Sequence, residues 1–249
     1  MHCEGGTGSM PLVASGWKGD LEACQMSEPR VAALVCEGQT DVPILRAAIQ
    51  EVWPELEEVR CLQPELDETD RAKGPAGWSQ VKAWCEAHAT DLDDVLDPDI
   101  GGPIDLLIIA IDVDVAIEAG IANPPKGVGA YETTRLRKAM LGWFQESTRR
   151  HLPPAVVFST PVMSVESWII AALYRNEKNP EAIGDPAKWL ASKKKLRNGK
   201  DGKPWKELYL YQDFAPVVAR RLKQVRKSCS EAERTLRLVE QRREALEGI

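Results

Sequence analysis

Histidine is the scarcest chemistry-bearing residue: His2, His88 and His151 are the only three and are widely separated. That argues against a histidine-rich metal site and a histidine-based catalytic triad. Cysteine is scattered as well. Cys3, Cys24, Cys36, Cys61, Cys85 and Cys229 contain no Cys-x-x-Cys pair, so zinc-ribbon spacing is absent and reduced thiols are expected rather than a disulfide framework. No apolar run approaches the ~18 residues of a membrane span, and the N-terminus has no basic flank followed by an apolar stretch. A cytoplasmic protein with no membrane association is expected. The sequence also lacks Gly-x-x-x-x-Gly-Lys-Ser/Thr, since Gly199-Lys200-Asp201 does not fit it, so any ATP-driven step would come from a partner.

Carboxylates are what remain, and they are plentiful. The chain of 249 residues has 32 Lys plus Arg against 38 Asp plus Glu, a net charge of −6. This is ordinary globular composition, with enough length to bury one sizeable core. The charge is uneven: residues 1–125 carry 7 basic and 24 acidic side chains, whereas residues 188–243 carry 17 basic and 6 acidic. Hard divalent cations take oxygen ligands and phosphates take Lys and Arg, so the asymmetry suits a carboxylate metal site joined to a polyanion-gripping surface. A solvated basic helical pair would produce the same counts.

Residues 1–29 show no sustained period and read as an irregular leader, with Met26 as an alternative start. Residues 31–36 form a short apolar run of the kind buried in parallel sheets, followed by a turn at 37–40 and a helix at 41–53 that Pro54 stops. A second strand at 59–62, a polar loop at 63–77, a helix carrying Trp78, Val81, Trp84 and Cys85, and an acidic linker to Gly102 come next. Residues 104–111 are the strongest strand, rich in β-branched side chains. After a loop with Pro124, Pro125, Gly127 and Gly129 the pattern gives a helix near 133–151, a strand at 155–160 and a helix at 165–174. A short helix capped by Asp185-Pro186 and two basic helices at 215–228 and 231–246 complete the chain. Alternation of strand and helix implies an α/β fold with a mostly parallel sheet and right-handed crossovers. The division expected is a leader (1–29), an α/β domain (30–175) and a basic helical C-terminal region (176–249).

Two carboxylate motifs follow the two most buried strands, at the ends where open α/β sheets place ligands. Glu37-Gly38-x-x-Asp41 ends the first strand, with Gly38 allowing a tight turn and Asp41 opening the helix. Asp112-Val113-Asp114 ends the third, where strand alternation would put both carboxylates on one side. If the first and third strands are neighbours, four carboxylates converge, and Mg²⁺ or Mn²⁺ would relieve their repulsion. Two such ions can activate water and stabilise the leaving oxygen of a phosphodiester. Each motif alone is also compatible with a turn or a helix cap.

Residues 31–41 and 106–114 together resemble the Toprim domain, an α/β module of topoisomerases, bacterial primases, small maturases and the overcoming-lysogenization-defect nucleases. The Glu-Gly-x-x-acid form is most similar to that nuclease branch. Gly77-Trp78, Val81 to Cys85, Asp112 to Ile117 and Ser164 to Trp168 also resemble a group of stand-alone Toprim-like proteins encoded beside ATPases. The resemblance implies a Toprim-like parallel sheet of about four strands with helices on both faces, plus a basic helical extension. It further implies a metal-dependent nuclease acting on DNA or RNA as an effector of phage or plasmid defence, with an ABC-type ATPase partner. A non-catalytic module that binds nucleic acid or the ATPase is the other reading. By the same resemblance Glu37 is a metal ligand and acid–base residue, Asp112 and Asp114 are catalytic ligands of the first Mg²⁺ or Mn²⁺, and Asp41 serves a second ion. Glu166 is a further ligand, or else simply an acid favouring a helix N-terminus. The nucleases carry a hydroxyl residue where this chain has Val115, and a late lysine for which Lys193, Lys194 and Lys195 are candidates; with Arg197 these form the expected nucleic-acid surface. A topoisomerase is not expected, because no tyrosine lies in a recognisable DNA-breakage module.

Trp53, Trp84, Trp143 and Trp168 fall on apolar helix faces and suit core packing, whereas Trp189 and Trp205 lie among lysines and suit base stacking. Leu236, Val239 and Leu246 form an apolar stripe that fits either a partner groove or the protein's own core.

Overall fold

The computed structural model describes His2 and residues 29–121, 130–144 and 152–248. The leader up to residue 28, apart from His2, the proline-glycine loop after residue 121 and the last turns of the 133–151 helix lie outside these residues. Four parallel strands form one sheet in the order β2-β1-β3-β4: β1 (Arg30–Val35), β2 (Leu56–Gln63), β3 (Leu106–Ala110) and β4 (Val156–Ser159). Ala32, Leu34 and Cys36 of the β1 segment pack on one face, and Val31, Ala33 and Val35 on the other. Leu106, Ile108 and Ala110 alternate in the same way with Leu107 and Ile109. Burial on both faces is why the two central strands read as unbroken apolar runs.

The first face is covered by α1 (Asp41–Val52), and the second by α2 (Trp78–Ala87), α3 (Leu92–Leu96), α4 (Val115–Glu118) and α5 (Ala130–Gly142). Back on the first face lie α6 (Glu166–Leu173), α7 (Pro186–Ser192), α8 (Leu208–Arg220), α9 (Leu222–Ser228) and α10 (Ser230–Glu247). A small antiparallel hairpin, β5 (Arg197–Asn198) with β6 (Pro204–Trp205), separates α7 from α8. The chain steps from β1 to β2 across one face and from β2 to β3 and β4 across the other, as right-handed crossovers demand when the direction of travel reverses.

Several local expectations change. The acidic linker contains α3, anchored by the fully buried Leu92. The first basic helix starts at Leu208 rather than 215 and breaks at Arg221. α8 runs through Pro216 because Tyr211, Phe214, Ala215 and Val218 bury one side of the helix, and that packing outweighs the lost backbone bond. Leu236 and Val239 are buried and Leu246 packs partly buried on the same core, so the apolar stripe closes the protein's own interior. Trp53 and Trp168 are fully buried, Trp84 and Trp143 partly so, as packing roles require. Trp189 meets Tyr174 edge-on and is half-buried, which leaves Trp205 as the exposed one of the two stacking candidates.

The C-terminal basic charge divides into two sets. Arg221 donates to the Ala172 carbonyl, Arg234 to Phe158, Arg242 to Asp105 and Arg243 to Val52, while Arg226 pairs with Glu233 and Glu240. These arginines tie α8–α10 to helix ends and sheet. The lysines at 193, 194, 195, 200 and 203 are instead exposed. No helix among the described residues is long and apolar enough to cross a membrane.

Candidate functional site

β1 and β3 are hydrogen-bonded neighbours, with Ala32 opposite Leu106 and Val35 opposite Ile109, so their carboxyl ends finish side by side. The chain leaves β1 toward α1 on one face and β3 toward α4 on the other, which opens a crevice between the two tips. Glu37 spans it: its Oε1 accepts the Asp112 backbone N–H at 2.8 Å. On the near side Asp41 Oδ2 accepts the Gly38 N–H at 3.0 Å and the Asp41 N–H donates to the Gly38 carbonyl. Gly38 does not have a positive φ, and a Cβ there would meet only ordinary contacts at 3.7 and 3.8 Å. The turn therefore does not depend on glycine, contrary to the expectation from sequence.

Asp112 and Asp114 also differ from expectation in their setting. β3 ends at Ala110, and both aspartates lie in the turn entering α4, where Val115 N–H reaches back to the Asp112 carbonyl. Strand alternation no longer applies there. Asp112 is half-buried beside Glu37, whereas Asp114 is exposed and lines a cleft of about 400 Å³ with Ser164, Lys188, Lys203 and Lys206.

Glu166 opens α6 and is completely buried. Its Oε1 accepts from the Tyr211 hydroxyl at 2.5 Å and pairs with Lys206 Nζ at 2.7 Å, while its Oε2 is buried with no hydrogen-bond partner. Lys206 enters from the surface, its side chain 43% exposed, and ends on a carboxylate that water does not reach. Sequence reasoning missed both Lys206 and Tyr211. Nothing in the sequence sets Lys206 apart from its neighbours, and its role depends on the β5–β6 hairpin delivering it to the crevice.

The electrostatics bind these groups into one cluster. Burial pushes Glu37 up to about 8, opposed by the Asp112 N–H and reinforced by Asp41 and Asp114. Burial likewise lifts Asp41 to about 6, with Lys206 working against Glu166 and Asp114. Asp112 is held well above the usual carboxylate range by burial and by Asp41, Glu37, Glu166 and Asp114. For Glu166 burial acts upward too, but Lys206, Ser164 and Tyr211 outweigh it and hold the carboxyl below its ordinary value. Burial disfavours charge on Lys206, yet Glu166, Asp112 and Asp41 overcome it and keep the ammonium charged.

The five acids singled out from the sequence thus share one electrostatic field. As oriented, no three acidic, histidine or cysteine side chains among the described residues enclose a metal position. The donor chemistry nonetheless fits a hard divalent cation: every donor is oxygen, burial and then mutual repulsion raise three of the carboxyls, and the orphaned Glu166 Oε2 is a buried acceptor awaiting a partner. Lys193, Lys194, Lys195 and Arg197 stand outside the cluster, exposed in the turn after α7 and on the hairpin. Comparison with protein-family models, curated proteins and solved structures finds no match to this chain.

Proposed function

We propose that the protein is a metal-dependent nuclease of the Toprim type, hydrolysing phosphodiester bonds of DNA or RNA with Mg²⁺ or Mn²⁺. The observation that carries this reading is the Glu37 bridge to Asp112 across the β1–β3 crevice, with Asp41, Asp114, Glu166 and Lys206 in the same field. Glu37, Asp112 and Asp114 would hold one ion, and Asp41 with Glu166 a second. Such ions neutralise charge developing on the phosphate and lower the pKa of a water. Glu37, whose carboxyl is lifted by burial well above the ordinary range in the metal-free protein, suits the acid–base role. Lys206 rather than Lys193, Lys194 or Lys195 suits the late lysine of the nuclease branch, since its ammonium lies beside the carboxylates where a phosphate oxygen would approach. A role as effector of an ATPase-linked phage or plasmid defence, with an ABC-type ATPase partner, rests on the Toprim resemblance and on the absence of a nucleotide loop in this chain.

A second reading, a non-catalytic module that binds nucleic acid or an ATPase, draws on the Lys206–Glu166 pair. That pair neutralises one acid internally, and buried Val115 stands where the nucleases carry a hydroxyl. Cleavage decides between them. Purified protein with Mg²⁺ or Mn²⁺ is expected to nick or cut nucleic acid, EDTA to stop it, and Asp112→Ala to slow it by about a thousandfold or more, as loss of several kcal/mol of transition-state stabilisation implies. Equal cleavage by wild type and Asp112→Ala would assign the activity elsewhere, and no cleavage under any metal would favour the non-catalytic module.

A further inference from the structure

Three hollows meet at the β5–β6 hairpin. The first, of about 400 Å³, holds Asp114, Lys188, Lys203 and Lys206; the second, of about 390 Å³, holds Arg71, Trp205, Lys206 and Tyr209; the third, of about 560 Å³, holds Lys200, Lys203 and Trp205. Lys203, Trp205 and Lys206 each line two of the three, so the hollows adjoin and together outline a groove whose first part reaches Asp114 of the carboxylate cluster. Trp205 is 58% exposed and Tyr209 48%, and among the described residues Ile100 is the other large apolar side chain displayed in this way. The Trp205 backbone is held by its antiparallel pairing with Arg197 and by the Gly199 N–H bond to the Lys203 carbonyl that closes the hairpin's turn. Three of the acids along the groove are already engaged: Asp185 with Lys188, Asp201 with the Lys203 N–H, and Glu207 with Tyr209 and Arg197. No ion pair among the described residues involves Lys194, Lys195, Lys200 or Lys203, while Lys193 lies over the Trp189 ring.

We propose that this groove binds single-stranded nucleic acid, with a base stacked on Trp205, its backbone along Lys200 and Lys203, and one phosphate led to Lys206. This rests on the phosphodiester-substrate reading above and names its substrate class. Lysines without acidic partners provide charge for phosphates, and an exposed, rigidly mounted indole provides a platform that only an unpaired base can use, because bases inside a duplex are already stacked on each other. An acidic peptide would use the lysines but leave the indole without a role.

Binding of the full chain to a fluorescein-labelled oligothymidine of about 20 nucleotides, followed by anisotropy in EDTA so that no cutting occurs, tests this. Affinity is expected to fall as salt rises, to be about tenfold or more weaker for a duplex of equal length, and to drop about tenfold or more in Trp205→Ala, with Trp205→Phe largely restoring it. Lys200→Glu with Lys203→Glu is expected to weaken binding to single strands too. Duplex bound as tightly as single strand, Trp205→Ala binding within about twofold of wild type, or polyglutamate competing as well as the oligonucleotide would each overturn the proposal. The two readings fail separately: strong Trp205-dependent binding without cleavage under any metal removes catalysis and keeps the groove, whereas Asp112-dependent cleavage indifferent to Trp205 and to strandedness does the reverse.

Discussion

Glu166 is the most demanding residue in the molecule. A fully buried carboxylate held below its ordinary pKa needs compensation, which comes from the Lys206 ammonium first and from the Ser164 and Tyr211 hydroxyls. Replacing Lys206 by Met leaves a buried acid with neutral donors alone. Because the Lys206 stem is in water while Glu166 is not, the expected loss is about 1–3 kcal/mol, below that of a fully enclosed pair. Glu166→Gln on the Lys206→Met background is expected to recover most of it, since an amide needs no counter-charge. Urea unfolding of the two single variants and the double variant checks this; strictly additive losses would show that the pair is not coupled.

Among the elements, the contest lies between the tips of β1 and β3. Glu37 and Asp41 at one tip and Asp112 at the other all hold their protons to higher pH than in an unfolded chain. A folded-state pKa above the unfolded one means that the native state binds more protons between the two values, so stability falls as pH rises through that window. For Glu37 the window runs from 4.5 to about 8, and for Asp41 from 3.8 to about 6. In metal-free buffer the melting temperature is therefore expected to decline from about pH 5 to pH 8 and level off above, with a shallower decline in Glu37→Gln. A flat profile in the wild type, or an unchanged slope in the variant, would contradict the cluster. The strands that carry these acids were legible from sequence because burial on both faces leaves an unbroken apolar run, as in residues 31–36 and 106–111. That Glu37 and Asp112 follow adjacent strands was legible only conditionally, since strand order is a tertiary property. The bridge between them, and the turn that takes Asp112 and Asp114 out of strand alternation, carry no sequence signal. Lys206 and Tyr211 lie 40 and 45 residues beyond Glu166, and no local pattern brings them back to it.

At the scale of the whole molecule, the basic C-terminal region shares its core with the sheet. Tyr211, Phe214, Val218, Leu222, Val225, Leu236 and Val239 pack in one buried cluster with Ala32, Leu34, Leu106 and Ile108. The arginines of α9 and α10 and the loop between α8 and α9 add polar ties, and Glu231 joins Arg137 of α5 and Thr160 beyond β4 in a buried network. Uncovering a large buried apolar side chain forfeits about 1.5–3 kcal/mol, and removing α8–α10 uncovers the sides of α1, α6 and β4 that pack against them. Summed over several such side chains, the loss is comparable with the 5–15 kcal/mol by which a domain of ordinary stability exceeds its unfolded state. Residues 30–175 produced alone are therefore expected to lack a cooperative melting transition and to bind hydrophobic dyes, whereas the full chain melts in one step. Calorimetry of both chains makes the comparison. A sharp transition in the shorter chain would mean that the α/β unit closes its face without α8–α10, and that the helices dock on a core already complete.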